Sequence, residues 1–469
     1  MRTVRRVRGS QHVHFVGIGG YGMSAIARVM LDLGYQVSGS DVSRQELTER
    51  LAARGANIFY GHDKRQVEGA DIVVHSTAVH QDNVELIEAR ARQIPVIHRS
   101  EMLARLMEDR VGVAVTGAHG KTTTTSMIAY MMERNNLDPT FVIGGVVSNI
   151  GDNAKAGGGQ FVVAEADESD GSFLHYRPAI AVVTNVEADH LEHYDGKFEN
   201  LKNAYRTFIQ QVPADGLAVL SADDAHLREL KLDAHARVIT YGFADDADIQ
   251  ARHVQLSGRT SSSEVYINGE LVGRLLLSLP GEHNVLNALA AIAVGREAGL
   301  SFNQIAVALA EFHGAKRRFQ VISEANNVLV IDDYAHHPTE ISATIAAAKA
   351  TGRRIVAVFQ PQRYTRTYFL FDAFARSFSQ ADEVIISEIY SPAGEKQIEG
   401  VTAERLAAEI RKQSNPRTQY LATQDEIFAY LRSSVHAGDL VLTMGAGDIW
   451  KVAERLGDDL ERTAHKALV

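Results

Sequence analysis

A chain of 469 residues is too long for one ordinary domain, so two to four are expected. Its 45% hydrophobic and 23% charged residues are the balance of a globular protein, and a net charge of −10 argues against a nucleic-acid partner. With no cysteine, disulfides, thiolate nucleophiles and cysteine-bound metals are excluded.

The first ten residues, MRTVRRVRGS, are basic and lead into no apolar signal-peptide segment. No apolar run is long enough for a membrane span, so a cytoplasmic protein is expected. A strand is predicted at 12–16, then the turn Gly17-Ile18-Gly19-Gly20-Tyr21-Gly22 and a helix over 23–33. A second strand ends at Gly39-Ser40-Asp41, and further strands are predicted at 71–75 and 95–97, an alternation typical of βαβ units. The spacing Gly17-x-Gly19-x-x-Gly22, with Asp41 in the ribose position, matches the dinucleotide turn. A helix N-terminus holds any pyrophosphate, so NAD and a nucleotide-sugar fit it equally.

A second block starts with the apolar run 111–116 and the loop Gly117-Ala118-His119-Gly120-Lys121-Thr122-Thr123. Small glycines let backbone N–H groups approach a triphosphate, Lys121 would meet its β/γ-phosphates, and the Thr122 hydroxyl would complete a Mg²⁺ shell. The loop is a compact variant, because Val115 stands where the usual spacing has glycine. The other reading is a plain strand-to-helix turn with a surface lysine.

Strands are predicted at 161–164, 180–184 and 217–220. The first ends in acids, and Glu165, nearest the strand end, is the natural Mg²⁺ ligand; Glu168 and Asp170 read as solvated or structural. His190, after the next strand, reads either as a second metal or phosphate group or as a hydrogen-bonded structural histidine. A β-rich insert is predicted over 249–279, with a hairpin turning at Asn268-Gly269. Asn284 and Asn287, three apart on the following helix, share a face and suit the edge of adenine, or Asn284 caps the helix.

In the third block strands are predicted at 327–332, 354–359, 383–387 and 439–444. Three clusters fall at the domain junction and at strand ends: Lys316-Arg317-Arg318, Asp332-Asp333-Tyr334-Ala335-His336-His337 and Gln360-Pro361-Gln362-Arg363-Tyr364-Thr365-Arg366. Arginines placed so can grip carboxylate or phosphate bidentately.

Together the segments FVGIGGYGMSAIA, TGAHGKTTTT, AEADESD, TNVEADHLEHY, GEHNVLNALAA, DDYAHHPTE and FQPQRYTRT resemble the Mur ligases of peptidoglycan synthesis, and nearly the whole chain is covered. The early glycine turn, DDYAHHPTE and RYTRT are similar to the alanine-adding branch of that family. The resemblance implies an α/β protein of three domains: a Rossmann-like UDP-sugar domain (1–108), a central P-loop ATP domain with a small β insert (109–314) and a Rossmann-like amino-acid domain (315–469). It implies ATP and two Mg²⁺ ions, with UDP-N-acetylmuramate and L-alanine as substrates; a homodimer is compatible with the sequence but not dictated by it. Lys121 matches the phosphate-binding lysine, Thr122, Glu165 and His190 the Mg²⁺ ligands, and Asn284 and Asn287 the adenine readers. Arg318 and Asp333 match groups reaching ATP, while His336, Arg363 and Arg366 lie in segments associated with L-alanine and the acyl-phosphate. Gly19, Gly20, Tyr21, Gly22, Ser40, Asp41 and Ser76 fall to the UDP-sugar.

Three residues depart from the family pattern: Ala118 stands for threonine, Tyr21 for a small residue, and Gln362, given no catalytic part, for histidine. No match is found for the carbamylated lysine of some relatives. The rival readings are another ATP-dependent amino-acid or peptide ligase, an NAD-dependent oxidoreductase that would leave the second phosphate loop unexplained, and a non-enzymatic nucleotide switch.

Overall fold

The structure, a computed structural model, describes residues 11–391 and 395–468; the basic segment 1–10 lies outside them. Five strands, β1 (His12–Val16), β2 (Gln36–Asp41), β3 (Asn57–Tyr60), β4 (Ile72–His75) and β5 (Val96–His98), form a parallel sheet in the order β3-β2-β1-β4-β5. Strand β1 is covered on two sides and buries apolar residues on both: Val13 and Phe15 pack into one cluster with Met23, Ile26 and Met30, and Val16 packs with Val67, Val73 and Leu86 in another. Strand order reverses between β1 and β4, so the loops leaving their carboxyl ends diverge and open a crevice. Gly17–Gly20 leaves one end and Ser76 the other.

The second sheet has ten strands: β6 (Val111–Thr116), β7 (Thr140–Val147), β8 (Asp152–Lys155), β9 (Phe161–Glu165), β10 (Ile180–Val183), β11 (Leu217–Ser221), β12 (Arg237–Gly242), β13 (Ile249–Ser257), β14 (Thr260–Ile267) and β15 (Glu270–Leu277). Their order is β15-β14-β13-β12-β11-β10-β6-β9-β7-β8, parallel from β12 to β7 and closed by the antiparallel β8. Strand β6 lies between β9 and β10, so both deliver their carboxyl ends beside the loop that follows it. The turn between β14 and β15 has Asn268 at φ 50° and Gly269 at φ 81°, the pair of positive angles a two-residue hairpin needs.

The third sheet holds β16 (Gln320–Ala325), β17 (Val328–Asp333), β18 (Arg354–Phe359), β19 (Glu383–Ile386), β20 (Thr418–Tyr420) and β21 (Asp439–Met444) in the order β16-β17-β21-β18-β19-β20. Only β16 runs antiparallel. The chain divides into two compact units, one carrying the first sheet and most of the second, the other the third sheet with segments His253–Ser263 and Leu276–Val285. Among the described residues no helix is long and apolar enough to cross a membrane.

Candidate active site

The loop after β6 is built on two glycines that nothing else can replace. Gly117 has φ +133°, and a Cβ there would come within 2.1 Å of Thr184 Oγ1; Gly120 has φ +82°, and its Cβ would meet Asn287 Oδ1 at 2.5 Å. Residues following β10 clamp the loop: Asn185 Oδ1 accepts the His119 N–H at 2.8 Å, and Thr184 Oγ1 donates to the His119 carbonyl at 2.6 Å. Helix Lys121–Arg134 starts straight from Gly120, so its first N–H groups face the loop.

Lys121 folds back over this turn. Its ammonium donates to the carbonyls of Gly117 (2.6 Å) and Ala118 (3.2 Å) and to Glu168 Oε1 (2.8 Å). Burial would drive off the proton, but Glu168, Asp167 and Glu165 outweigh it and hold the lysine above its ordinary value. Glu168 is 4% exposed, and burial pushes it up against the pull of Lys121. It is therefore a buried counter-ion rather than a solvated acid, and the Tyr194 hydroxyl donates to its backbone carbonyl.

Glu165, at the end of β9, accepts from Thr122 Oγ1 at 3.0 Å and from the Gly144 N–H at 2.8 Å. Two oxygen groups predicted to share a hard cation thus stand together. His190 is not joined to them by a hydrogen bond or ion pair; φ is +53°, and its ring faces Asp189 (3.5 Å) and Glu192 (3.7 Å), and its proximity holds the Glu192 carboxyl down at about 2. Thr123 is buried beneath the helix start. Asn287 accepts from Thr124 Oγ1 at 3.1 Å, and Asn284 Nδ2 donates to the Pro280 carbonyl at 2.7 Å.

In the first sheet, the Gly17 and Ile18 N–H groups donate to the Ser40 carbonyl (2.8 and 2.9 Å), and the Gly19 N–H to Asp41 Oδ2 (2.8 Å). The fully buried Ser40 stands behind the glycine turn, not on its surface. A cleft of about 340 Å³ is lined by Gly20, Tyr21, Gly22, Ser76 and Glu165, so one cavity joins the predicted sugar-nucleotide turn to the predicted metal carboxylate. Tyr21, 61% exposed, stands on its rim. Sequence reading missed Arg99, which also lines it; its Nη2 donates to Asp167 at 3.1 Å and its Nη1 lies 3.4 Å from where a Gly22 Cβ would sit. The available signal was a basic residue directly after an apolar strand. Thr77 donates to Asp170 across the same cleft.

The remaining predicted residues belong to the unit carrying the third sheet. Asp333 ends β17 buried, accepts N–H groups of Phe319 and Ala335 at 2.7 Å each, and is pushed by burial up to about 6. Arg317 is tied to Asp332 (3.0 Å) and to the Gly447 carbonyl (3.1 Å), whereas Arg318 lies 5.1 Å over the Tyr334 ring and 3.9 Å from Glu340. His336 Nδ1 lies 2.9 Å from the Tyr334 carbonyl, which only accepts, so this nitrogen carries the hydrogen; burial drives the ring down to about 4. Arg363 is exposed and holds φ +67° with ψ 135°, a strained backbone for a residue with a Cβ. Arg366 is buried and donates to Gln362 Oε1 at 3.0 Å, so Gln362 orients an arginine.

A glycine loop closing on a lysine and a glycine turn at a switch point are features of a nucleotide-binding protein, and sequence models narrow the class to ligases. The description Mur ligase family, catalytic domain, matches residues 12–111, Mur ligase middle domain matches 115–295, and Mur ligase, glutamate ligase domain, matches 317–447. The chain belongs to the Mur ligase family. It is 50% identical to the UDP-N-acetylmuramate–L-alanine ligase of Geobacter sulfurreducens, over 96% of this chain and 98% of that protein. It is 52% identical to the ligase of the same name from Pelotomaculum thermopropionicum, over 95% and 97%. Its fold is similar to the crystal structure of UDP-N-acetylmuramate–alanine ligase from Thermotoga maritima, with TM-score 0.81, 30% identity and coverage of 96% and 99% of the two chains.

Proposed function

We propose that this chain is an ATP-dependent amide ligase joining L-alanine to the lactyl carboxylate of UDP-N-acetylmuramate in peptidoglycan precursor synthesis, releasing ADP and phosphate. The observation that carries it is the near-full-length identity with ligases of that name, 50% and 52%. The cleft holding both Gly20–Gly22 and Glu165 supports it, because a sugar-nucleotide carboxylate and the γ-phosphate of ATP must meet. Domains are assigned as 1–108 for the sugar nucleotide, 109–314 for ATP and 315–469 for the amino acid. ATP and UDP-sugars are cytoplasmic pools, which assigns the protein there.

A carboxylate is a poor acyl donor, since oxide is a poor leaving group. Phosphorylating it gives an acyl-phosphate that the alanine amine attacks, with phosphate departing from the tetrahedral intermediate. Phosphoryl transfer needs positioning and charge neutralisation more than covalent help. Lys121 and the N–H groups of 117–122 grip the triphosphate, and Asn284 and Asn287 take the adenine. The oxygen donors of Thr122 and Glu165 suit Mg²⁺, with His190 as the further ligand in a two-ion site; bound there, the ion would neutralise charge developing on the phosphate. Arg318, Arg363 and Arg366 supply charge to ATP, the acyl-phosphate and the amino-acid carboxylate, and Asp333 orients the ATP end. Holding three substrates in register contributes roughly 7–11 kcal/mol. With its Nδ1 hydrogen on Tyr334, neutral His336 presents Nε2 as an acceptor for the ammonium proton.

The test is ADP release with UDP-N-acetylmuramate, leaving out each amino acid in turn. ADP formed only with L-alanine is expected. Turnover driven by a peptide, by glutamate or by no amino acid would overturn the reading.

A further inference from the structure

The mechanism above uses one of the three carboxylates at the end of β9. Glu165 takes Thr122, Asp167 takes Arg99, and Glu168 takes Lys121 at 2.8 Å. Glu168 is fixed from its own side. Its backbone carbonyl accepts the Gly171 N–H at 3.1 Å and the Tyr194 hydroxyl, its Oε2 lies 3.4 Å from Thr116 Oγ1, and its side chain is 5% exposed. Thr116 ends β6, the strand that feeds the phosphate loop, so the carboxylate is set against the base of that loop.

An ammonium has three hydrogens, and that of Lys121 meets three acceptors: the Gly117 carbonyl, the Ala118 carbonyl and Glu168 Oε1. A phosphate oxygen gains one of these hydrogens only by displacing an acceptor. A loop carbonyl is the smaller loss, because it is neutral, whereas losing Glu168 strands a buried carboxylate. Lys121 therefore exchanges a carbonyl for phosphate and keeps Glu168. Two effects follow. The place of the ammonium is set by the protein rather than by the nucleotide. The carboxylate also offsets part of the positive charge that the phosphates meet, since charges a few ångströms apart interact strongly at so buried a place.

We propose that Glu168 is a positioning residue of the reaction: it anchors Lys121 for phosphoryl transfer and weakens the lysine's hold on nucleotide, so that ADP leaves once the γ-phosphoryl group is gone. This inference rests on the ATP reading above. It separates two quantities that a structural role would move together. Without the negative charge, the nucleotide is held more tightly, yet the lysine loses the group that directs it and the chemistry slows.

Calorimetric titration of the full chain with ADP in Mg²⁺ buffer tests it, beside steady-state ADP release with all three substrates and a urea midpoint for each variant. Glu168→Gln keeps the size and an oxygen for Lys121 but removes the charge. It should bind ADP at least about tenfold more tightly than wild type, the effect of one charge a few ångströms away, while kcat falls at least about tenfold. Glu168→Asp keeps the charge and draws it back by one methylene. It should bind ADP within about threefold of wild type and still lose kcat, because the anchor has moved. ADP bound equally or more weakly by Glu168→Gln, or a wild-type kcat in either variant, overturns the inference and leaves the ATP reading standing. A wild type that binds no ADP overturns both.

Discussion

At the scale of single residues, the phosphate-loop lysine cannot be removed cleanly. Lys121→Ala leaves Glu168 buried without the cation 2.8 Å away, and breaking one side of such a pair costs about 3–5 kcal/mol. The expected outcome is loss of ADP formation together with a lowered urea midpoint. Lys121→Ala with Glu168→Ala should recover part of the midpoint and none of the activity. Turnover in either variant would take Lys121 out of the mechanism. Gly120 carries a different prediction. Gly120→Ala adds both a clash at 2.5 Å with Asn287 Oδ1 and a left-handed backbone cost of about 1–2 kcal/mol. Adding Asn287→Ala relieves the first and not the second. The double variant should therefore regain some stability over Gly120→Ala, and ATP titrations should show both far weaker than wild type.

At the scale of elements, helix Lys121–Arg134 is a poor helix by propensity. Its first turns read Thr122-Thr123-Thr124-Thr125-Ser126, and β-branched residues crowd the preceding turn. Burial and local bonds hold it instead: Thr125 Oγ1 donates to the Lys121 carbonyl (2.8 Å) and Ser126 Oγ to that of Thr122 (2.6 Å). Thr124→Val keeps the shape but deletes the bond to Asn287; it should lower stability by about 1 kcal/mol in urea melts and raise the KM for ATP more than it lowers kcat. An unchanged KM would show that Asn287 is placed by the helix backbone alone. The same helix shows what could be read in the sequence. Largely apolar runs marked β1, β6, β9, β10, β18 and β21, because a strand buried on both faces carries few polar positions. Strands β7 and β8 escaped, one interrupted by Gly144-Gly145 and the other carrying Asp152, Asn153 and Lys155. The edge strand β16, half exposed, alternates too weakly to stand out from a loop. Local chemistry pointed to Lys121, Thr122 and Glu165 because each closes a motif. Nothing local marks Glu168 as the partner of Lys121, which the parallel pairing of β6 and β9 brings to it, or Arg99 as that of Asp167, which lies 68 residues along the chain in another sheet's loop.

At the scale of the whole molecule, burial has been spent on histidines that stay neutral, and this sets the acid limit. His98, His283 and His336 are each driven by burial down to about 4. In the unfolded chain a histidine titrates near ~6.5. Between those values the unfolded state binds the proton and the folded state does not, so stability rises with pH through the window. It is fully present above the ordinary histidine range and drains away as pH falls through about 4. Asp333 works the other way: burial lifts it to about 6, so its share is complete below the ordinary carboxylate value and is lost as pH rises through about 6. Glu168, Asp332 and Glu454 are raised by burial in the same sense as Asp333, and the three histidines are predicted to outweigh them and leave a net loss in acid. Each histidine contributes at most about 2 kcal/mol between neutrality and pH ~5, from ~1.36 kcal/mol per unit. Calorimetric midpoints should therefore fall from pH ~7 to pH ~5, and His98→Gln should fall less steeply than wild type. The assignment gains a check from place: His98 sits between Ser100 (2.7 Å) and Thr77 (3.2 Å) beside the first cleft, while His336 belongs to the third sheet's unit. His98→Gln should flatten the transition reported by hydrogen exchange in β4 and β5, and His336→Gln the one reported in β17. A pH dependence unchanged in both variants would place the acid sensitivity in the surface carboxylates instead.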